Sequence, residues 1–252
     1  MVSWADKHVL VTGGSSGTGL AAAEIAASRG AHVSIVARDV ARLEVARESV
    51  SAARVSDVQH ITAHSADVAS WEAVEDAVRG AEQAAGPVDI LVTCAGYCYP
   101  ARFLEMPIEE FAGQIGVNLL GTIYAARAVA PGMVARGSGH IAMVSSLGGL
   151  VGVYGYSAYS PGKYGVIGFA EVLPTLKDQN WHILAIRDFN ADGSPDLLIG
   201  ADGANSLVRR RLDGHAYFAG ALRPVQAGDL MVGKQFAPAA VGQDHQLRNQ
   251  LV

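Results

Sequence analysis

The amino-acid sequence predicts an α/β fold built on a doubly wound parallel sheet. Short runs of Val, Ile and Leu alternate with helix-like stretches from His8 to Ile186, the rhythm of βα units. The strand-like runs are apolar at successive positions, as in strands buried on both faces. The first of them runs straight into glycines and then into a helix pattern, the arrangement that opens a doubly wound sheet.

Taken in order, His8 to Val11 is a buried strand, and Leu20 to Ser28 is an alanine-rich helix closed by Arg29-Gly30. His32 to Val36 is the second strand. Val40 to Ala52 sets Leu43, Val45, Ala46 and Val50 among charges, an amphipathic helix. Val58 to Ala63 reads as the third strand, Trp71 to Ala85 as the third helix and Val88 to Thr93 as the fourth strand. Pro107 opens a long helical region whose first turn carries Glu109 and Glu110, and Pro131 is expected to kink or end it. His140 to Val144, Tyr156 to Leu173 and His182 to Ile186 give the fifth strand, a helix and the sixth strand. Beyond residue 187 the rhythm stops. The domains expected are therefore residues 1–187, a dinucleotide-binding and catalytic unit, and residues 188–252, an atypical C-terminal segment.

Bulk properties narrow the function. A chain of 252 residues with net charge −5 and no Lys/Arg cluster beyond Arg209-Arg-Arg211 gives no footprint for nucleic acid. Mean hydropathy is +0.22, but the longest uncharged stretch, Gly137 to Gly162, is broken by Gly, Ser, Tyr and Pro. It reads as strand plus loop, not as an integral membrane segment. Cys94 and Cys98 are the only cysteines and read as small side chains in a reducing compartment. With no signal-peptide pattern at the N-terminus, a cytoplasmic location is expected.

Thr12-Gly-Gly-Ser-Ser-Gly-Thr-Gly19 is a T-G-x-x-x-G-x-G turn between strand and helix. Gly13 can take the turn off the strand, Gly17 can let backbone approach a pyrophosphate, and Gly19 can let helix and strand pack closely. The helix start offers N–H groups and a positive dipole end to phosphate, so Gly13, Ser15, Ser16, Gly17 and Gly19 are candidate cofactor contacts. At the end of the second strand stands Val36-Ala37-Arg38-Asp39. Ala37 cannot bond ribose hydroxyls, whereas Arg38 can clasp a 2′-phosphate, which favours NADP over NAD.

Tyr159 and Lys163 lie four residues apart on one helix face. A carbonyl that accepts hydride needs a proton donor. A free phenol titrates near 10, and lowering that by roughly 2–3 units needs about 3–4 kcal/mol of preference for phenolate. A neighbouring ammonium supplies part of it, and could also hold ribose hydroxyls.

These motifs together resemble the short-chain dehydrogenase/reductase family over roughly residues 5–187. The resemblance implies a Rossmann-like fold and ketone–alcohol interconversion with a nicotinamide dinucleotide. It assigns Asp67 and Val68 to the adenine contact, and Cys94-Ala95-Gly96 to the end of the family's Asn-Asn-Ala-Gly segment. It makes Tyr159 the general acid/base, Lys163 its tuner and ribose ligand, and Ser146 the donor to the substrate oxygen. Asn118 becomes the holder of a proton-relay water. Ser146 precedes Tyr159 by thirteen positions; Ser145, the alternative serine, is expected to point the other way by strand alternation. The helices around Asn118 and Tyr159 resemble family faces that form homodimers and homotetramers. Within the family the stretch Gly155 to Lys163 looks most like the 3-ketodihydrosphingosine reductases, implying a small-molecule carbonyl or alcohol substrate, in particular a long-chain keto lipid.

The chain also departs from the family. Thr93 and Cys94 stand where the family has two asparagines, so a strand-bridging hydrogen bond is expected to differ. Gly162 follows Pro161 inside the helix, and Pro174 interrupts it. Arg187-Asp-Phe-Asn190 replaces the family's Pro-Gly segment. This leaves a catalytically impaired dinucleotide-binding protein as the alternative function. Residues 196–211 resemble the Gly-Ala-Asp-Gly motif of flavin-dependent aromatic hydroxylases, with Asp202 as its acidic residue. Its companion loop is missing, so FAD is not the expected cofactor. Asp188 to Asp196 places oxygens at alternate positions, but Ile199 stands where a calcium loop carries its glutamate; an Asp/Asn/Gly turn is expected. His60, His64 and Asp67 are read as ordinary side chains, with no metal site.

Overall fold

The computed structural model describes residues 4–173, 180–187 and 197–200. The turn at 188–196, Asp202 and Pro174 lie outside the described residues. The chain divides into a compact unit of residues 1–209, which holds the whole sheet, and residues 210–252.

The strands are β1 (His8–Thr12), β2 (His32–Ala37), β3 (Ile61–Ser65), β4 (Ile90–Thr93), β5 (Ser138–Val144), β6 (Asn180–Arg187) and β7 (Leu197–Gly200). They form one sheet in the order β3-β2-β1-β4-β5-β6-β7. β1 to β6 run parallel. β7 runs antiparallel to β6, with Leu184 opposite Gly200 and Arg187 opposite Leu197. The sheet expected to stop near residue 187 is thus extended by one edge strand. The helices are α1 (Gly17–Ser28), α2 (Val40–Ala52), α3 (Trp71–Ala85), α4 (Ile108–Ile115), α5 (Gly121–Arg136) and α6 (Tyr159–Val172). Chain order reverses between β1 and β4, the switch point at which ligands bind in open α/β sheets.

Alternation along the strands explains their composition. Val9 and Val11 join Val33, Ile35 and the α1–α2 residues Ala23, Ala26, Leu43, Ala46 and Val50 in one core. Leu10 faces the other way, into a core with Leu91, Ile141, Met143 and residues of α3, α5 and α6. Successive residues serve opposite faces, so the strands must be apolar throughout. Side-chain caps set two helix starts: Asp39 accepts from the Arg42 N–H at 3.0 Å, and Ser70 from the Ala73 N–H at 3.3 Å.

Three expectations are corrected. The third strand begins at Ile61, not Val58, because Gln59 locks the preceding turn. Its side-chain oxygen accepts from the Val55 and Ser56 N–H groups, and its amide donates to the Ala27 and Ala31 carbonyls. Of the two outcomes expected at Pro131, a kink or an end, the end does not occur: α5 runs on to Arg136 and stops at Gly137, in the left-handed conformation. Helix α6 begins at Tyr159, three residues later than expected. Tyr156 is held instead in a parallel bridge with Ala101.

A chain of polar side chains crosses the sheet. His8 hydrogen-bonds Ser34 at 2.8 Å, Ser34 bonds Thr62 at 2.6 Å, and Thr62 bonds His64 at 2.9 Å. The other His8 ring nitrogen meets the Gly86 carbonyl at 2.6 Å. Burial lowers the pKa of both His8 and His64 below the ordinary 6.5, so both fold as neutral rings. Unfolded histidine takes up its proton first as pH falls, and stability is then lost below about pH 6.5. The urea midpoint should fall between about pH 7.5 and pH 6, and fall less in His8→Gln, which cannot titrate there.

Candidate active site

The turn after β1 is shaped by close approach. Gly13 sits at φ 71° with its α-carbon against the next loop; a Cβ there would lie 2.6 Å from the Ala95 nitrogen. A Cβ on Gly19 would lie 2.3 Å from the Gly13 carbonyl oxygen. Gly17, at φ 53°, has open space where its Cβ would be. Two glycines therefore let protein pack on protein, and the third leaves backbone bare toward an open cleft of about 830 Å³.

That cleft collects most of the expected residues. Gly13, Ser15, Ser16, Gly17 and Gly19 line it together with Ala95, Gly96, Ser146, Tyr159 and Lys163. Arg38 and Val68 lie on its wall. Asp67 does not line it: its carboxylate is exposed and accepts the Ala69 N–H at 3.0 Å, in a tight turn leading into α3. Asn118 is likewise behind the wall. It is fully buried in a π-helical turn, Gly116–Leu120, between α4 and α5. Its side-chain oxygen accepts the Tyr97 N–H at 3.0 Å and its amide donates to the Tyr97 carbonyl at 2.8 Å. Such bulges recur at functional sites.

Tyr159 is the first residue of α6. Pro161, lacking an N–H, falls in the first turn, where none is needed. Gly162 lets α6 approach the π-turn: a Cβ there would meet the Asn118 Cβ at 3.3 Å. One turn on, the Lys163 ammonium lies 5.8 Å from the centre of the Tyr159 ring and donates to the Val144 carbonyl at 3.1 Å. Burial pushes its pKa down to about 8, with a small opposing effect from Cys94. At neutral pH the amine is still mostly charged. Ser146 caps the short turn Leu147–Gly149, accepting the Gly148 N–H at 3.1 Å. Ser145, expected to point the other way, also lines the cleft; it is buried and donates to the Lys163 carbonyl at 2.9 Å. The Tyr164 hydroxyl donates to the Leu150 carbonyl and fixes the far end of the same loop.

The departures at residues 93 and 94 have a structural outcome. The Thr93 hydroxyl is buried with no hydrogen-bond partner among the described residues. Cys94 is half-buried, and desolvation raises its thiol to about 11. The strands are joined there by the Cys94 N–H donating to the Thr12 carbonyl at 3.0 Å. The sequence reading missed Arg42, which lines the cleft beside Arg38. It lies in the first turn of α2, where nothing in the sequence sets it apart from an ordinary helical arginine. Among the described residues no cluster of His, Cys, Asp or Glu could hold a metal, and no helix is long and apolar enough to cross a membrane.

A Rossmann-like sheet with a glycine turn at its switch point, and a Tyr/Lys pair on the wall of the same cleft, defines the class of protein. The chain belongs to the short chain dehydrogenase family, whose model matches residues 7–180. A second model, the FG-GAP repeat, matches residues 180–222. The chain is 41% identical over 167 residues to a 3-dehydrosphinganine reductase of Danio rerio, covering 66% of this chain and 50% of that protein. It thus spans about half the length of the curated relatives it matches. Among solved structures, the apo form of LigO from Sphingobium sp. strain SYK-6 is 28% identical, with a TM-score of 0.70 over 75% of this chain and 70% of that one. A metagenomic short-chain oxidoreductase in complex with NADP is 30% identical, with a TM-score of 0.68 over 74% and 83%.

The two kinds of glycine should separate by experiment. Gly17→Ala should leave the apoprotein within about 1–2 kcal/mol of wild-type stability, the cost of a left-handed residue. It should nevertheless weaken NADPH binding, measured by fluorescence titration. Gly19→Ala, which must displace the Gly13 backbone, should lower the melting temperature by several degrees, since roughly 1 kcal/mol shifts it by about 2–4 °C in a domain this large.

Proposed function

We propose that the protein is an NADP(H)-dependent reductase that interconverts a ketone and a secondary alcohol, with a long-chain keto lipid as substrate. The observation that carries this reading is that the Gly13–Gly19 turn, Ser146, Tyr159 and Lys163 line one cleft. The residues present suit a dinucleotide. Gly17 leaves the backbone open where a phosphate would approach, and the α1 N-terminus adds N–H groups. Arg38 and Arg42 place two guanidinium groups on the cleft wall, and a 2′-phosphate is a fitting partner for them. Asp39 lines the cleft beside them, with one carboxylate oxygen accepting the Arg42 N–H at the start of α2. The NADP held by the metagenomic neighbour supports the same preference.

When bound, the nicotinamide supplies hydride. The chain's own residues do the rest. Tyr159 gives its phenolic proton to the developing alkoxide, and Ser146 orients the substrate oxygen by a hydrogen bond. The Lys163 ammonium favours phenolate through its charge beside the ring and is itself oriented by the Val144 carbonyl. Asn118 holds the Tyr97 segment against the cleft, and the π-turn around it is the place for a proton-relay water. Support for the lipid substrate comes from the Danio rerio relative, a 3-dehydrosphinganine reductase.

Two measurements test the reading. NADPH oxidation is followed with a panel of ketones that includes a long-chain 3-keto lipid, alongside fluorescence binding of NADPH. Turnover is expected in the wild type and not in Tyr159→Phe, which should still bind NADPH. Binding without turnover in the wild type would instead identify a non-catalytic dinucleotide-binding protein. Arg38→Ala should raise KM for NADPH roughly tenfold or more, the scale of a lost charge-assisted contact, while changing KM for NADH little. Equal changes would remove the NADP assignment.

A further inference from the structure

Asn118 has a neighbour that does the same work one turn earlier. Gln114, in α4, is 0% exposed. Its side-chain oxygen accepts the Tyr99 N–H at 3.0 Å, and its amide donates to the Tyr99 carbonyl at 3.3 Å. Asn118 makes the matching pair with Tyr97. The spacing is physically apt: four helical residues rise about 6 Å and two extended residues advance about 6.6 Å. Two amide side chains on one helical stripe therefore act as a second strand would, pairing with alternate residues of the chain that leaves β4.

That chain leads to the catalytic helix. Two residues past Tyr99, the Ala101 N–H donates to the Gly155 carbonyl at 2.9 Å, and Ala101 bridges Tyr156. Tyr156 packs edge-on against Tyr159 with ring centres 5.6 Å apart. Its carbonyl accepts the Ser160 N–H at 2.9 Å, so it sets the start of α6. Met106 closes the arrangement, its sulfur 3.9 Å from the Gln114 amide and 3.8 Å from the Ser157 hydroxyl.

We infer that Gln114 is a positioning residue: by clamping Tyr99 it fixes the Ala101–Tyr156 bridge and, through it, the placement of Tyr159. The inference rests on the reading of Tyr159 as the general acid. It differs from the role of Asn118, which holds the segment nearer the glycine turn. Loss of Gln114 should therefore affect the reacting end of the cleft and spare the phosphate end.

The test is Gln114→Leu in the full chain, close in volume but unable to make either bond. Hydrogen exchange, read without substrate or cofactor, should quicken both in residues 99–101 and in residues 153–159, with the glycine turn unchanged. In turnover, kcat should fall roughly ten- to hundredfold, the scale of a displaced catalytic group, while the Kd for NADPH stays within about twofold. Unchanged exchange at 153–159, unchanged kcat, or a parallel loss of kcat and NADPH affinity would each overturn the role. Should Gln114→Leu fail to fold, Gln114→Asn takes its place with the same expected results, since it withdraws the amide by one methylene. A wild type without turnover would sink the proposed reaction, and the exchange measurement would still decide whether Gln114 holds the bridge.

Discussion

The buried ammonium of Lys163 is the constraint around which the cleft is organised. Burial lowers its pKa from 10.5 to about 8, a shift that corresponds to about 3 kcal/mol in favour of the neutral amine. A charge kept under such pressure needs partners. The Val144 carbonyl supplies one, and the face of the Tyr159 ring is close by. Gly96 leaves the room: a Cβ there would lie 2.7 Å from the Asn118 side-chain oxygen and 3.5 Å from the Lys163 nitrogen. Ser145, buried at the wall of the cleft, ties the backbone of Lys163 to the end of β5. The residues flanking the pair are thus explained by what it takes to keep one amine charged beside one phenol.

The glycine turn answers a different demand. Helix α1 must start directly above β1, and the loop after β4 must pass beneath it. Gly13 and Gly19 accept that crowding, and Gly17 is where the turn leaves space instead. The close packing expected at Gly19 is what its surroundings require, and Gly13 shares it. Each glycine answers a local steric question, and local questions are written locally in the chain.

The same reasoning explains what was legible and what was not. Strands β1, β2 and β5 and helices α2 and α3 announced themselves because burial on one or both faces leaves a periodic trace. The start of β3 did not, because Gln59 is fixed by carbonyls of the turn after α1. The start of α6 did not, because Tyr156 is held by Ala101, distant in sequence. Pro131 misled because the ring removes one donor, whereas α5 remains packed in the core through Ala125, Ala126, Val129 and Met133. At the site, Tyr159, Lys163 and Ser146 were visible as motif residues. Arg42 and Gln114 were not, since an arginine in a helix and a glutamine among apolar neighbours look ordinary until the fold shows what they face.

The C-terminal boundary has a physical consequence for function. The family match ends at residue 180, where β6 begins, and β6 and β7 both fall within the stretch matched by the FG-GAP repeat. A parallel ladder asks of its next strand only backbone donors and acceptors and side chains that tolerate burial. The sequence Ile183-Leu-Ala-Ile186 meets that requirement whatever its origin, and an antiparallel strand can follow at the edge of such a sheet. Among the described residues, those lining the cleft lie between Gly13 and Lys163, inside the short chain dehydrogenase match. The stretch matched by the FG-GAP repeat adds two strands to the edge of the sheet and, among the described residues, none to the wall of the cleft.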